Sequence, residues 1–469
     1  MTVKNIKGFV IAGERSGVGK TILTLAMAQA FMERGLRVQC FKVGPDFIDP
    51  GFHQAVTGRT SRNLDGWMMG RDYSICSFEE NVQDADMAIV EGVMGLFDGH
   101  NGKSDDGSTA QIAKWLNLPV VLVVDGSSLA RTAGALVLGF ENYDPEIEVA
   151  GVIFNRVAGK RHYEYLREGV QAKCHADVLG YVTRSPEWHV PERHLGLVMA
   201  SECDSLKQTI QSLLREIEKT VNFESMMKYC RQGKKFAKDS RDDHRALSSE
   251  KKAAIGVARD EAFCFYYQDN IDFLQHYGAG IKYFSPIHDE KLPEGIQGLY
   301  LGGGYPELYA SDLHRNHKMR EEILGFCKSG RPVYAECGGF LYLLRAVTDQ
   351  KGECFDMVGL FPAEARMLMH VRRLGYVEVE ATNGCKFIAD GERIRGHEFH
   401  YSELSDMPGH IDRCYRVYRG RAKEFLPEGF RIDNVLAGYM HLHFASNPDF
   451  AKNFVGMCRE QRGKVASKE

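Results

Sequence analysis

Between Gly8 and Val182, six short runs rich in Val, Ile and Phe (GFVIAG, RVQCFKVG, MAIVEG, VVLVVD, GVIFNRV and DVLGYV) alternate with longer stretches of helical periodicity. Runs that are apolar at consecutive positions present no solvent face. They fit strands buried on both sides, and the helices between them supply the cover, which is the signature of an α/β fold built on a parallel sheet. A second α/β series opens at Ala253 with AAIGVARD and continues through GIKYFSP, GLYLGGG, PVYAECGG, LGYVEVEA, RVYRG and VLAGYMHLHF. The segment Lys228 to Lys252 between the two series is crowded with charge and nearly free of large aliphatics, so it reads as a linker. The expected organisation is an α/β domain over 1–225, a charged linker over 226–252, a second α/β domain over 253–460 and a polar tail over 461–469.

With 469 residues, each domain is long enough to bury a sizeable core. Lys and Arg number 59 against 63 Asp and Glu, so no global positive field exists to hold nucleic acid or an anionic membrane. The 12 cysteines include no CxxC pair, which argues against a zinc ribbon or a thioredoxin-like centre and for reduced thiols. Phe9 to Ala12 is too short for a signal-peptide core, and no run of about 18 apolar residues occurs. The expectation is a soluble, cytoplasmic protein.

Gly13 to Thr21 (GERSGVGKT) follows an apolar run and opens an amphipathic helix that stops at Gly35. Such a loop turns backbone N–H groups and a helix N-terminus toward a phosphate. Gly13, Ser16, Gly17 and Gly19 shape the cradle, Lys20 adds charge, and Thr21 offers a hydroxyl to Mg²⁺. ATP with Mg²⁺ is the implied co-substrate. Gly13 precedes Lys20 by seven positions where the common P-loop has six, a variant similar to the dethiobiotin-synthetase and MinD-like branch.

Acids follow two of the strands: Asp46 and Asp49 after RVQCFKVG, Glu91 and Asp98 in and after MAIVEG. Ligands of open parallel sheets bind beyond the carboxyl ends of strands, and Mg²⁺ on a nucleotide needs only one or two protein carboxylates. Asp46 and Glu91 are assigned to the metal with Thr21, and Asp49 and Asp98 to substrate or a second metal. The competing reading is turn and cap chemistry, since Asp before Pro or Gly is common in loops.

In the second half, PVYAECGGFLYLL carries an apolar strand straight into Cys337, two glycines and a helix. This is the setting of a nucleophile on a sharp strand-to-helix turn, where a helix N-terminus favours the thiolate. The N–H of Gly338 and a glycine of LGGG, Gly303, are the expected oxyanion donors. A base must come from far along the chain, and YMHLHF supplies His441 and His443, which alternation places on one face. Residue chemistry alone leaves both open. His397 and His400 in RGHEFHYS are candidates for substrate contacts.

In order, GERSGVGKT, KVGPDFIDPGFH, NLDGWM, EGVMGLFDG, LGGGYPELY, AECGGFLYL, RGHEFHYS and YMHLHFASNP resemble the cobyrinate a,c-diamide synthase family, the two-domain glutamine-dependent amidoligases of cobalamin synthesis. The resemblance covers essentially the whole chain. It implies an ATP-dependent amide-forming N-terminal half and a C-terminal class I glutaminase with Cys337 as nucleophile and His441 as base. It also implies small-molecule partners only: glutamine, ATP and a tetrapyrrole polycarboxylate, with a homodimer compatible. Class I glutaminases usually carry Glu two residues after the base, whereas position 443 here is His, so no Cys–His–Glu triad can be transferred. A polycarboxylate on a net acidic protein needs local cations, for which His370, Arg372 and Arg373 are candidates. Nickel-sirohydrochlorin a,c-diamide synthase is similar throughout and differs in substrate. A CTP-synthetase-like amidoligase would carry the missing Glu, and a MinD-like nucleotide switch would need no cysteine site.

Overall fold

The computed structural model describes residues 7–188, 192–193, 196–197, 204–232, 253–382, 384–420 and 424–466. The chain divides into two compact units, Met1–Ala237 and Lys238–Glu469.

In the first unit, seven parallel strands, β1 (Lys7–Gly13), β2 (Val38–Val43), β3 (Arg62–Leu64), β4 (Met87–Glu91), β5 (Val120–Asp125), β6 (Val149–Val157) and β7 (Asp177–Thr183), lie in the order β3-β2-β4-β1-β5-β6-β7. Six of them are the apolar runs of the sequence; the short β3 has no such signature. Successive β1 residues serve opposite cores: Phe9 and Ile11 pack into the cluster around Leu23, Leu25 and Ile217, while Val10 and Ala12 join that around Phe41, Phe78 and Leu122. Burying each such aliphatic or aromatic side chain contributes roughly 1.5–3 kcal/mol.

A two-residue pair follows, β8 (Glu192–Arg193) with β9 (Gly196–Leu197). Then comes β10 (Arg231–Gln232), which lies antiparallel to β1. Residues 226–232, read from sequence as the start of the linker, thus complete a helix (Phe223–Tyr229) and a sheet contact of the first unit. The rest of that segment, 233–252, lies outside the described residues.

The second unit contains β11 (Ala253–Ala258), β12 (Ala279–Phe284), β13 (Gly298–Leu301), β14 (Val333–Glu336), β15 (Leu344–Thr348), β16 (Cys354–Asp356), β17 (Phe361–Met367), β18 (Arg373–Ala381), β19 (Arg393–His400), β20 (Ser402–Leu404), β21 (Asp412–Arg419), β22 (Phe425–Ile432), β23 (Val435–Gly438) and β24 (His441–Leu442). The main sheet runs β12-β11-β13-β14-β23-β22-β21-β18-β19-β24, parallel through β23 and antiparallel beyond. Strands β15, β16, β17 and β20 form a separate four-stranded sheet. The final helix, Asp449–Ala466, extends six residues into the stretch read as a tail. The eleven described cysteines are free thiols. No helix among the described residues is long and apolar enough to cross a membrane.

Candidate functional site

In the first unit, β1 ends at Gly13 and a tight loop leads to the helix Lys20–Glu33. Gly17 (φ 74°) and Gly19 (φ 97°) sit in the left-handed region, which a side chain would strain. Ser16 is exposed at the loop tip. Lys20 folds back, donating to the carbonyls of Met94 (2.6 Å) and Arg15 (3.2 Å). Burial and the nearby Lys42 ammonium bring its pKa down to about 8. Neighbouring strand ends brace the loop: Asn155 donates to the Val18 carbonyl (2.7 Å), and Arg156 bridges the Gly17 carbonyl (2.7 Å) and Asp125 (2.7 Å).

Beside the loop, the Thr21 hydroxyl donates to Glu91 (2.7 Å) and reaches Asp49 (3.3 Å). Lys42, which the sequence reading missed, projects from β2 into this group, 2.5 Å from Asp49 and 2.9 Å from Glu91. His53, also missed, binds Glu91 through Nε2 at 2.7 Å and Ser61 through Nδ1 at 2.9 Å. Burial alone would raise the Glu91 pKa, but Lys42 and His53 outweigh it and hold the carboxyl well below its usual range. Burial would likewise lower Lys42, yet Asp49 and Glu91 keep it firmly charged.

Both aspartates lie beside Lys42, with Asp46 Oδ2 4.0 Å and Asp49 Oδ2 2.5 Å from its ammonium. Asp46 uses Oδ1 to cap the following helix, accepting from the N–H groups of Ile48 (2.8 Å) and Asp49 (3.0 Å), while Asp49 lies by Thr21. Asp98 is exposed, and its Oδ2 accepts from the Gly95 N–H (2.8 Å). Asp49 Oδ1 is buried without a hydrogen-bond partner. This orphan acceptor, the adjacent Glu91 and the Thr21 hydroxyl fit a hard cation such as Mg²⁺. Among the described residues, no group of three or more His, Cys, Asp or Glu is arranged to hold a metal ion.

In the second unit, β14 ends at Glu336, and Cys337 adopts φ 44°, ψ −100° before the helix Gly338–Leu343. A non-glycine residue at positive φ is strained and persists only when its surroundings over-determine it. Here the Cys337 N–H is tied to the Gly438 carbonyl (2.7 Å), and the Gly339 N–H to that of Gly302 (2.8 Å). The thiol is buried and faces the Phe399 carbonyl at 3.7 Å. Burial, reinforced by Glu307, pushes its pKa far up, so the resting nucleophile is a neutral thiol.

His441 lies on β24 opposite His397 of β19, the rings stacked with centroids 4.9 Å apart. A Cβ on Gly303 would overlap Cε1 of His441, which explains glycine there. Burial, with His400 nearby, takes the His441 pKa down to about 3, so the imidazole too rests neutral. The Gly303 N–H is spent on the Phe265 carbonyl (3.3 Å), so Gly303 is poorly placed as the second oxyanion donor; the Gly304 nitrogen lies 3.0 Å from where a Gly338 Cβ would stand.

His443 instead caps its own turn, accepting from the Ala445 N–H (3.3 Å). His397 bonds the Tyr267 hydroxyl (2.9 Å). His400 bridges Glu398 (3.0 Å) and the Ser402 carbonyl (2.9 Å) beneath Tyr439. Arg419, missed in sequence, grips Glu398 with two bonds of 2.7 and 2.9 Å. Arg372 is exposed and meets Glu403 at 3.3 Å.

These two units define a class: a nucleotide-binding domain and a glutamine amidotransferase domain in one ligase chain. Residues 9–198 match the CobQ/CobB/MinD/ParA nucleotide binding domain family, and 254–449 the CobB/CobQ-like glutamine amidotransferase domain family. The second match sets aside a nucleotide switch. Proteins named cobyrinate a,c-diamide synthase are similar over nearly full length. That of Dehalococcoides mccartyi strain CBDB1 is 40% identical, covering 97% of this chain and 99% of its own. Those of Caldanaerobacter subterraneus subsp. tengcongensis (41%; 96% and 98%) and Archaeoglobus fulgidus (40%; 96% and 97%) are comparable. The chain belongs to the cobyrinate a,c-diamide synthase family, carbon–nitrogen ligases with glutamine as amido donor.

Proposed function

We propose that the chain amidates the a and c acetate carboxylates of cobyrinate in cobalamin synthesis, in the cytoplasm, using ATP to activate each carboxylate and glutamine to supply ammonia. What carries this reading is the presence, in one chain with these relatives, of a phosphate loop flanked by Thr21, Glu91 and Asp49 and of a cysteine on a strained strand-to-helix turn.

In the glutaminase half, the Cys337 thiol attacks the glutamine amide carbon as its proton passes to His441. N–H groups of Gly338 and Gly304 meet the developing oxyanion. Collapse to a thioester returns that proton to the departing nitrogen and releases ammonia; water, deprotonated by His441, then frees Cys337 as glutamate leaves. In the other half, a substrate carboxylate attacks the ATP γ-phosphate, giving an acyl phosphate as ADP leaves; ammonia then attacks the acyl carbon and phosphate departs, giving the carboxamide. Lys20 and the loop N–H groups neutralise charge developing on the phosphates. Mg²⁺ held by Thr21, Glu91 and Asp49 supplies further neutralisation when bound.

Cys337→Ala should abolish glutamine-supported amidation and keep amidation supported by free ammonia; loss of both, or of neither, contradicts the assignment. Product mass with cobyrinate and with nickel-sirohydrochlorin distinguishes the substrates. Two carboxylate-to-carboxamide conversions on cobyrinate alone are expected.

A further inference from the structure

We infer that Glu336, the residue immediately before the nucleophile, is the positioning carboxylate of the glutaminase base, facing His441 where no acid follows it in sequence. The inference rests on the glutaminase reading above. Glu336 Oε2 lies 3.9 Å from Nδ1 of His441, and both side chains are only 2% exposed. The carboxylate is held from three sides. Tyr334, two residues earlier on the same face of β14, donates at 2.7 Å, and its cross-strand neighbour Tyr300 donates at 3.0 Å. The third donor is the Leu442 N–H (3.1 Å), which belongs to the residue after His441 and fastens the carboxylate to the strand that carries the base.

A separation of 3.9 Å is beyond a hydrogen bond, and with His441 neutral at rest the electrostatic coupling is latent. It acts when it is needed. His441 is buried and resists protonation, yet must become imidazolium as the Cys337 proton moves onto its other nitrogen, Nε2. A fixed negative charge beside Nδ1 stabilises that state and selects the orientation. His443 caps its own turn, and the stacked His397 is held neutral by burial.

The groups around Glu336 are Tyr300, Tyr334, His441 and Cys337, with Tyr266 and Tyr415 further out. Burial pushes its pKa up to about 7 against the hydrogen bonds from Tyr334, Leu442 and Tyr300. The positioning charge is therefore lost on the acidic side of neutrality, and removing a donor moves that loss to higher pH.

The test follows glutamate release from glutamine by the full chain with ATP, Mg²⁺ and cobyrinate, across pH, for the parent, Glu336→Gln, Glu336→Asp, Tyr334→Phe and Cys337→Ala. Glu336→Gln should lower kcat by about 100-fold or more with KM for glutamine within about threefold. Glu336→Asp should recover part of the loss, and Tyr334→Phe should shift the acidic limb upward. A Glu336→Gln enzyme with kcat within about threefold of the parent, or one that loses KM rather than kcat, overturns the inference. If Glu336→Gln does not fold, the Tyr334→Phe profile decides, and an unmoved acidic limb overturns it. Activity surviving in Cys337→Ala would instead overturn the glutaminase reading itself.

Discussion

The ammonium of Lys42 lies 2.5 Å from the carboxylate of Asp49, with side-chain exposures of 4% and 5%. It also reaches Glu91, so one cation answers two buried acids beside Thr21. Removing one partner of a buried charge group leaves the others uncompensated, at a cost of about 3–5 kcal/mol. Lys42→Met should lose stability on that scale in urea denaturation. Mg²⁺ should restore part of the loss, because the carboxylates regain a cation. A variant as stable as the parent, or one indifferent to Mg²⁺, would show that Lys42 is not their counter-charge.

Gly303 touches His441 so closely that no Cβ fits between them. The ring is also stacked on His397, so an added methyl must displace the base. A misplacement near 1 Å can cost about 100-fold in rate. Gly303→Ala should reduce glutamine hydrolysis by at least about that factor while ammonia-supported amidation continues. Parallel loss of both activities in steady-state assays would point to unfolding rather than to the base.

The parallel strands and both reactive loops were legible because their signals are local. Phe9 to Ala12 are apolar at every position and buried on both faces, and Lys20, Thr21 and Cys337 sit in loops whose glycines announce the turn. The antiparallel half was legible only in part: LGYVEVEA and RVYRG fall on β18 and β21, whereas β19 (RIRGHEFH) carries arginines and histidines that form the site itself. In the separate sheet, β17 (FPAEARM) alternates buried and partly exposed residues with charges on one side. Asp46 and Asp49 look equivalent in sequence, and what separates them is local: Asp46 Oδ1 accepts from the N–H groups of Ile48 and Asp49 at the start of the helix. Lys42 and Glu336 were missed because their partners are remote: Glu91 follows Lys42 by 49 positions, and His441 is on a distant strand. Each left one clue, a lone charge within an otherwise apolar strand, which burial makes costly unless it is paired.

Cys337 holds φ 44° and ψ −100°, a conformation that costs a side-chain-bearing residue about 1–3 kcal/mol. Alanine keeps that strain, whereas glycine removes it at an entropic cost of about 0.5–1 kcal/mol. Cys337→Gly should therefore be more stable than Cys337→Ala by about 1 kcal/mol in urea, reversing the usual order of the two residues. If Ala proves the more stable, the turn carries no strain.

His441 and Glu336 should give stability opposite dependences on pH. His441 rests near pKa 3 in the fold against about 6.5 unfolded. Between those values only the unfolded chain takes the proton, so its contribution is intact above about 6.5 and falls with decreasing pH by up to about 1.4 kcal/mol per unit. Glu336 is raised to about 7 against about 4.3 unfolded. Between those values the folded chain holds the extra proton, and its contribution grows as pH falls. In the parent the two slopes largely offset each other between pH 4.5 and 6.5, as roughly placed by these pKa values. Relative to the parent, His441→Asn should gain stability on acidification over that window and Glu336→Gln should lose it, as read from urea midpoints at several pH values. Parallel curves for the three chains would mean that neither group is held in the protonation state its burial dictates.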